Sequence, residues 1–271
     1  KLEHIFKNNT SKSKKIDAVI HFAGLKAVEE SINYPLRYFD FNVLSTINLL
    51  KIMEKFNCMK IVFSSSATIY GNYCEHFNIK ENASINPINP YGETKVVIEK
   101  ILENLFLSSN SWSVSILRYF NPIGAHPSGL IGENPLGSPN NIFPIINEVA
   151  SGVRQNLNIF GNDWDTPDGT GVRDYIHVMD LADGHVLALE YLFENVGEII
   201  KLNLGTGKGT SVLELISVFE SVNNLEIPYI FTQRRKGDVS RTVADIKLAK
   251  EKLNWLPIRD LKMMCRDGWK W

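Results

Sequence analysis

"KIVFSSSATIYG" spans residues 60–71. Ile61, Val62 and Phe63 form an unbroken apolar run, which reads as a buried strand; the run then breaks into small hydroxyl residues, Ser64, Ser65, Ser66 and Thr68, at the strand end. Upstream, "KKIDAVIHFAG" (14–24) reads the same way, a buried parallel strand running into a loop at Gly24. Between the two, Pro35 opens a long amphipathic helix that runs to about Phe56. Downstream, "NPYGETKVVIEKILENLF" is a helix: Asn89 suits its cap and Pro90 its first turn. "WSVSILRYFNPIG" supplies a third strand and loop. Strand–helix–strand–helix–strand at this spacing predicts an α/β fold, a doubly wound parallel sheet of Rossmann type.

After Pro122 the texture changes. "IGAHPSGLIGENPLGSPNN" is dense in Gly, Pro and Asn and reads as a long loop, a common carrier of function. Short elements follow: a helix from about Ile142, a strand at 157–160, a helix within 178–193, a strand at 199–204, a helix from Val212, a strand at 227–232 and a helix from Ile246. They predict a second, smaller α/β lobe. The division expected is 1–122 for the larger domain and 123–271 mainly for the smaller, with part of 172–204 returning to the larger. "NLGTGKGTSVLELI" (203–216) places Gly205, Gly207 and Gly209 between a strand and a helix. The spacing is GxGxG, not the GxGxxG of a dinucleotide loop, so it reads as a tight turn followed by a capping box of Ser211 and Glu214.

The 271 residues are 44% hydrophobic and 22% charged, ample for a globular core, and a net charge of −1 offers no field for nucleic acid or anionic lipid. Cys58, Cys74 and Cys265 are widely spaced, with neither metal-ligand spacing nor the even count of a disulfide framework. No metal is expected. No apolar run approaches the ~20 residues of a membrane span, and the first residues form no signal-peptide core, so the expected location is cytoplasmic.

Tyr91 and Lys95 stand four residues apart, on one face of the expected helix, and Ile98, Leu102 and Leu105 continue that stripe. A lysine is rarely buried without a task. A cation beside a phenol lowers the phenol's pKa from about 10 and makes it a general base or acid near neutrality. Tyr-x-x-x-Lys alone is common, and a core tyrosine with a snorkelling lysine is its bland reading. The hydroxyl cluster of Ser64, Ser65, Ser66 and Thr68 changes the balance. It lies at the carboxyl edge of the sheet, where open α/β folds bind ligands.

Strand-end serine followed by Tyr-x-x-x-Lys on a doubly wound sheet resembles the extended short-chain dehydrogenase/reductase superfamily, and most closely its UDP-glucose 4-epimerases. The resemblance runs nearly end to end, through "VIHFAGLKAVEES", "FSSSATIYG", "NPYGETK", "LRYFNPIGAHPSGLIGE", "PNNIFP", "IFGNDWDTPDGTGVRDYIHVMDLADGH", "NLGTGKGTSVLE" and "RRKGDV". It implies a reversible, NAD-dependent isomerisation of UDP-galactose and UDP-glucose at C4 through a transient 4-keto sugar. On that resemblance Tyr91 takes the proton from the 4-hydroxyl, Lys95 holds the nicotinamide ribose, and Ser66 bonds the 4-oxygen with Thr68 close by. It places Phe22, Ala23, Gly24, Lys26, Asn42, Ser64, Tyr119 and Pro122, with Tyr91 and Lys95, against NAD. It places Asn121, Asn141, Phe160, Arg173, Arg235 and Asp238 against the UDP-sugar. Two arginines suit a diphosphate, through forked charge-assisted bonds. Thr242 falls where relatives carry either a large aromatic or a small residue beside the sugar's 2-substituent. Its size leaves room for an acetamido group, so UDP-N-acetylglucosamine and UDP-N-acetylgalactosamine join the expected substrates. Such proteins commonly form homodimers through two helices of the larger lobe, here 34–56 and 91–106. The pathway stays open, since galactose breakdown and glycan precursor supply need the same chemistry.

The pattern breaks at the start. Family members open with a strand, a Gly-rich turn and a helix that bind the NAD pyrophosphate; this sequence starts at "KLEHIF". At about 30 residues per βα unit, roughly 60 residues are expected to be missing. The "DAVIHF" strand would then show an apolar edge, and the chain alone is expected to be poorly soluble and inactive. The alternatives are a truncated remnant or pseudoenzyme that only binds UDP-sugar, and another nucleotide-sugar enzyme such as a 4,6-dehydratase or decarboxylase. A dehydratase needs an acidic pair after the strand-end hydroxyl, and "SSSATIYG" has none.

Overall fold

The computed structural model describes residues 1–11, 14–73, 77–135, 137, 139–235 and 237–271; Cys74 lies outside them. The chain divides into two compact units. Lys1–Asn72, Ala83–Arg118 and His185–Leu202 form the first; Tyr73–Asn82, Tyr119–Gly184 and Asn203–Trp271 form the second.

The first unit is organised by a four-stranded sheet in the order Val19–His21, Lys60–Ser66, Ser113–Tyr119, Ile199–Leu204. The first two strands pair in parallel, with Val19 opposite Ile61 and His21 opposite Phe63. Ile61, Val62 and Phe63 are all buried, which is why their stretch of sequence is apolar without alternation. Helix Ser45–Lys55 packs Leu49, Leu50 and Met53 onto the sheet, helix Pro90–Ser108 packs Ile98 and Leu102, and helix Leu2–Ser11 contributes Phe6. Each such side chain contributes roughly 1.5–3 kcal/mol on burial. Pro35 starts its helix where expected, but the run to Lys55 is not uniform: Phe39–Leu44 is a π-helical segment between Pro35–Tyr38 and Ser45–Lys55. A separate short helix, Val28–Asn33, precedes it.

In the second unit, strand Leu157–Phe160 pairs in parallel with Tyr229–Thr232, and Asn121–Ile123 with Tyr175–His177. A third small sheet has the order Arg241–Thr242, Val172–Arg173, Thr210–Ser211. Helices Ile142–Ala150, Val212–Asn223 and Leu261–Lys270 enclose a core of Phe143, Ile146, Leu215, Phe219 and Met264. The glycine-rich stretch before Val212 is a turn with a capping box: Ser211 Oγ accepts from Glu214 N at 3.0 Å and Ser211 N donates to Glu214 Oε2 at 3.4 Å. Its glycines serve a buried carboxylate. Asp174 accepts from Thr206 N and Oγ1, both at 2.6 Å, from Gly207 N at 2.9 Å and from Ala244 N at 3.1 Å. A Cβ on Gly205 would stand 2.5 Å from Asp174 Oδ2. Among the described residues no helix is long and apolar enough to cross a membrane.

Candidate functional site

Helix Pro90–Ser108 begins as its sequence dictates. Asn89 caps it, accepting from Gly92 N at 2.8 Å, and Pro90 occupies the first turn. Strand Lys60–Ser66 ends in a 3-10 turn, Ala67–Tyr70, and Gly71 follows at φ +57°. A Cβ on Gly71 would lie 1.8 Å from the Asn86 carbonyl oxygen, so only glycine lets the chain close here. Gly92 meets the same turn: its Cβ would lie 3.1 Å from Thr68 O. This close approach sets Tyr91 beside the strand end.

The Ser66 hydroxyl acts on the Tyr91 phenol, pulling its pKa down. Thr68 donates to Ser66 Oγ from both its hydroxyl, at 3.0 Å, and its backbone N–H, at 3.2 Å. Lys95, 6% exposed, donates from Nζ to the Ser64 carbonyl at 2.6 Å. Its Nζ lies 4.9 Å from the Phe63 ring centroid and 5.7 Å from that of Tyr91. Tyr91, Lys95, Ser66, Thr68 and Ser64 are therefore brought together in the first unit.

The electrostatics differ from expectation. The sequence suggests that Lys95 lowers the tyrosine's pKa; in the structure the pKa of Tyr91 is raised. Burial is the larger influence, and Ser66 only opposes it. The ammonium is committed to Ser64 O, and burial pushes its own pKa down to about 8, against an upward pull from Glu99. The phenol of the protein alone is thus held protonated, and an additional positive charge at the site is what would shift it.

Of the residues expected near a dinucleotide, Phe22, Ala23, Gly24 and Lys26 form an exposed loop after strand Val19–His21. Asn42, buried in the π-helical segment, holds that loop: it accepts from Leu25 N at 2.7 Å and donates to Leu25 O at 3.0 Å and to Thr94 Oγ1 at 3.1 Å. A Cβ on Gly24 would stand 3.0 Å from Asn42 Oδ1. Lys95 Nζ, a triple donor with one hydrogen-bond acceptor, retains capacity for a ribose hydroxyl. This donor set fits a nicotinamide ribose. Tyr119 and Pro122 fall in the second unit, at the end of one strand and within the next.

In that unit Phe160, Arg235 and Asp238 come together. The Arg235 guanidinium lies 4.4 Å from the Phe160 ring centroid and pairs with Asp238 at 3.0 Å. Arg173 and Thr242 are register partners on neighbouring strands. Arg173 donates to the Val172 carbonyl at 2.9 Å, and burial pushes its pKa down. Asn121 is anchored by its backbone to Asp174 O at 2.9 Å. Asn141 is exposed and bonded only loosely, to Glu133 at 3.4 Å. Sequence reasoning missed Asp174, which fixes the backbone around Arg173, and Glu99 and Arg118, which lie buried behind Lys95. Glu99 alone left a legible signal, four residues beyond Lys95 on the same face.

A family model described as GDP-mannose 4,6 dehydratase matches residues 4–268. The relatives narrow this. The UDP-glucose 4-epimerase of Bacillus subtilis (strain 168) is 53% identical over 256 residues, which are 94% of this chain and 75% of that protein. This chain belongs to the UDP-glucose 4-epimerase family. A crystal structure of UDP-glucose-4-epimerase from Stenotrophomonas maltophila, with bound NAD and formylated UDP-arabinopyranose, superposes at a TM-score of 0.94 with 47% identity. It covers 100% of this chain, and this chain covers 78% of it. The UDP-Glc/GlcNAc 4-epimerase of Campylobacter jejuni superposes at 0.82 with 33% identity, over 100% of this chain and 80% of its own. The Rossmann-type fold read from the sequence is thus the fold of its relatives.

Proposed function

We propose that this chain interconverts UDP-galactose and UDP-glucose at C4 through a transient 4-keto sugar, with NAD as its cofactor. The observation that carries the reading is the cluster at one strand end: Ser66 acting on the Tyr91 phenol, and Lys95 buried one turn along with its ammonium on Ser64 O. When bound, NAD supplies a reversible acceptor for the C4 hydride. Tyr91 takes the proton from the 4-hydroxyl and returns it. Ser66, which accepts from Thr68 and acts on the Tyr91 phenol, holds the 4-oxygen and relays that proton. Lys95 donates to the nicotinamide ribose while remaining anchored on Ser64 O. Phe22, Ala23, Gly24, Lys26, Asn42, Ser64, Tyr119 and Pro122 complete the cofactor contacts in this reading.

The second unit holds the UDP moiety. Phe160 offers a face for the base, Arg173 and Arg235 grip the diphosphate, and Asp238 accepts from the ribose, with Asn121 and Asn141 assisting. Arg235 and Asp238 are each other's partners at 3.0 Å, so binding exchanges part of that pair for ligand contacts. Thr242, small and beside Arg173, extends the range to UDP-N-acetylhexosamines. A homodimer through 34–56 and 91–106 belongs to the same reading, supported by a groove lined by Ile47, Leu50, Lys51, Glu54, Ile101 and Leu105. So does a cytoplasmic location.

The test is a UDP-galactose to UDP-glucose assay with NAD supplied, on the parent and on Tyr91→Phe. Interconversion by the parent and its loss in the variant are expected; equal rates in the two would remove Tyr91 from the reaction.

A further inference from the structure

Behind the Tyr91–Lys95 pair lies a buried ionic group that the reaction above leaves without a task. Glu99 follows Lys95 by four residues, so Tyr91, Lys95 and Glu99 mark successive turns of one helix face. Glu99 is 3% exposed, and Arg118 and Ser65 are 1% exposed. Arg118 grips the carboxylate in a fork, Nη2 to Oε2 at 2.7 Å and Nε to Oε1 at 3.1 Å, and its Nη1 donates to the Tyr70 hydroxyl at 2.9 Å. Ser65 Oγ donates to Glu99 Oε1 at 2.5 Å. Taking two charges out of water is costly, and an apolar pair often serves stability as well. Stability alone is therefore a weak reason for this pair.

Its neighbours give a better one. Ser65 stands between Ser64, whose carbonyl receives the Lys95 ammonium, and Ser66, which acts on the Tyr91 phenol. One carboxylate thus ties the helix that carries Tyr91 and Lys95 to the strand residue flanked by both their partners. It is also the anion between two buried cations, Lys95 and Arg118. The other titratable groups facing Lys95 are Tyr91 on its own helix and His21 on strand Val19–His21; burial pushes the His21 pKa down to about 4, so it is neutral. Tyr70, from the 3-10 turn, is occupied by Arg118.

We propose that Glu99 is a positioning residue for this reaction: through Ser65 and Arg118 it sets the register of the Tyr91 helix on the Ser66 strand, and it is the buried anion one turn beyond the Lys95 ammonium. This rests on the function proposed above. Glu99→Gln keeps the shape and removes the charge. Lys95 then loses the carboxylate that pulls its pKa up and releases its proton at lower pH. The expected result is a folded variant whose descending limb of activity, and whose Lys95 side-chain NMR titration, both move down by about one pH unit. At pH 8, kcat should fall by about fivefold while KM changes by less than about twofold. A folded Glu99→Gln variant whose pH profile and Lys95 titration superpose on the parent's would overturn the proposal. Should that variant not fold, Ser65→Ala decides, because it leaves the ion pair intact. A kcat down by about tenfold with an unmoved pH limb supports the pin; a kcat equal to the parent's overturns it. The NMR titration needs no turnover, so an inactive parent would refute the proposed function while still testing Glu99.

Discussion

Lys95 gives its hydrogen bond to the Ser64 carbonyl, 2.6 Å away, and not to the hydroxyl of Tyr91. The ammonium therefore anchors helix Pro90–Ser108 to strand Lys60–Ser66, and a buried cation is the consequence. Its pKa is pushed down to about 8, so the native state disfavours its charged form.

The first prediction follows from that sign. A lysine whose pKa is lower folded than unfolded opposes folding while it is protonated. Between about pH 8 and its ordinary value of 10.5 the unfolded chain binds the extra proton, so stability rises with pH through that window. Lys95→Met, similar in length and uncharged, should raise the unfolding temperature at pH 7 by a few degrees, with the gain shrinking above pH 8. The same variant should lose nearly all epimerase activity. Thermal melts from pH 6 to 10 check the first part, and a variant less stable than the parent at pH 7 would contradict it.

The Ser66 triangle gives a graded expectation. Tyr91→Phe removes the group proposed to exchange the proton, and should lower kcat by about 10²–10⁴-fold. Ser66→Ala leaves Tyr91 in place but deletes its partner and that of Thr68. Its loss should be smaller, while Thr68→Val, which only orients Ser66, should cost least. Steady-state kinetics on the three variants check the order, and KM for UDP-galactose should stay within about threefold throughout.

These expectations show how far the sequence could be read. The strand at 60–66 and the helix from Pro90 were legible because local signals agree: an apolar run, an Asn cap and a proline in the first turn. The pairing of Tyr91 with Lys95 on one face followed from helical spacing. The direction of the Tyr91 shift did not, because it depends on how deeply the phenol is covered and on which acceptor the lysine chooses. The π-helical segment was hidden for a similar reason: Asn42 bonds to Leu25 and Thr94, one 17 residues before it and the other 52 after. Helix Leu261–Lys270 was missed because charges interrupt its apolar face, and its Gly268 is there for packing. A Cβ at that glycine would stand 2.1 Å from Phe143 Cε1.

Thr242 yields a prediction about substrate range. It lies opposite Arg173 on a short strand, and its side chain is only partly covered. Thr242→Tyr fills space beside Arg173 without adding charge. Turnover of UDP-N-acetylglucosamine should fall by about tenfold or more, with UDP-galactose turnover reduced by less than about threefold. Parallel assays on both sugars check this; equal losses would mean that the position does not sense the 2-substituent.

The Asp174 clasp should dominate the stability of the second unit. Its carboxylate accepts from three backbone N–H groups, of Thr206, Gly207 and Ala244, and from the Thr206 hydroxyl. Asp174→Ala leaves those donors buried without an acceptor, at a cost of roughly 3–5 kcal/mol. Gly205→Ala attacks the same clasp from the other side. The added Cβ would meet Asp174 Oδ2 at 2.5 Å and the Ala244 Cβ at 2.8 Å, an overpacking worth roughly 1–3 kcal/mol. Because both substitutions break one set of contacts, their effects should not add: the double variant should be no less stable than Asp174→Ala by more than about 1 kcal/mol. Urea denaturation of the two single variants and the double variant measures this directly, and full additivity would show that Gly205 is required for something other than the approach of Asp174.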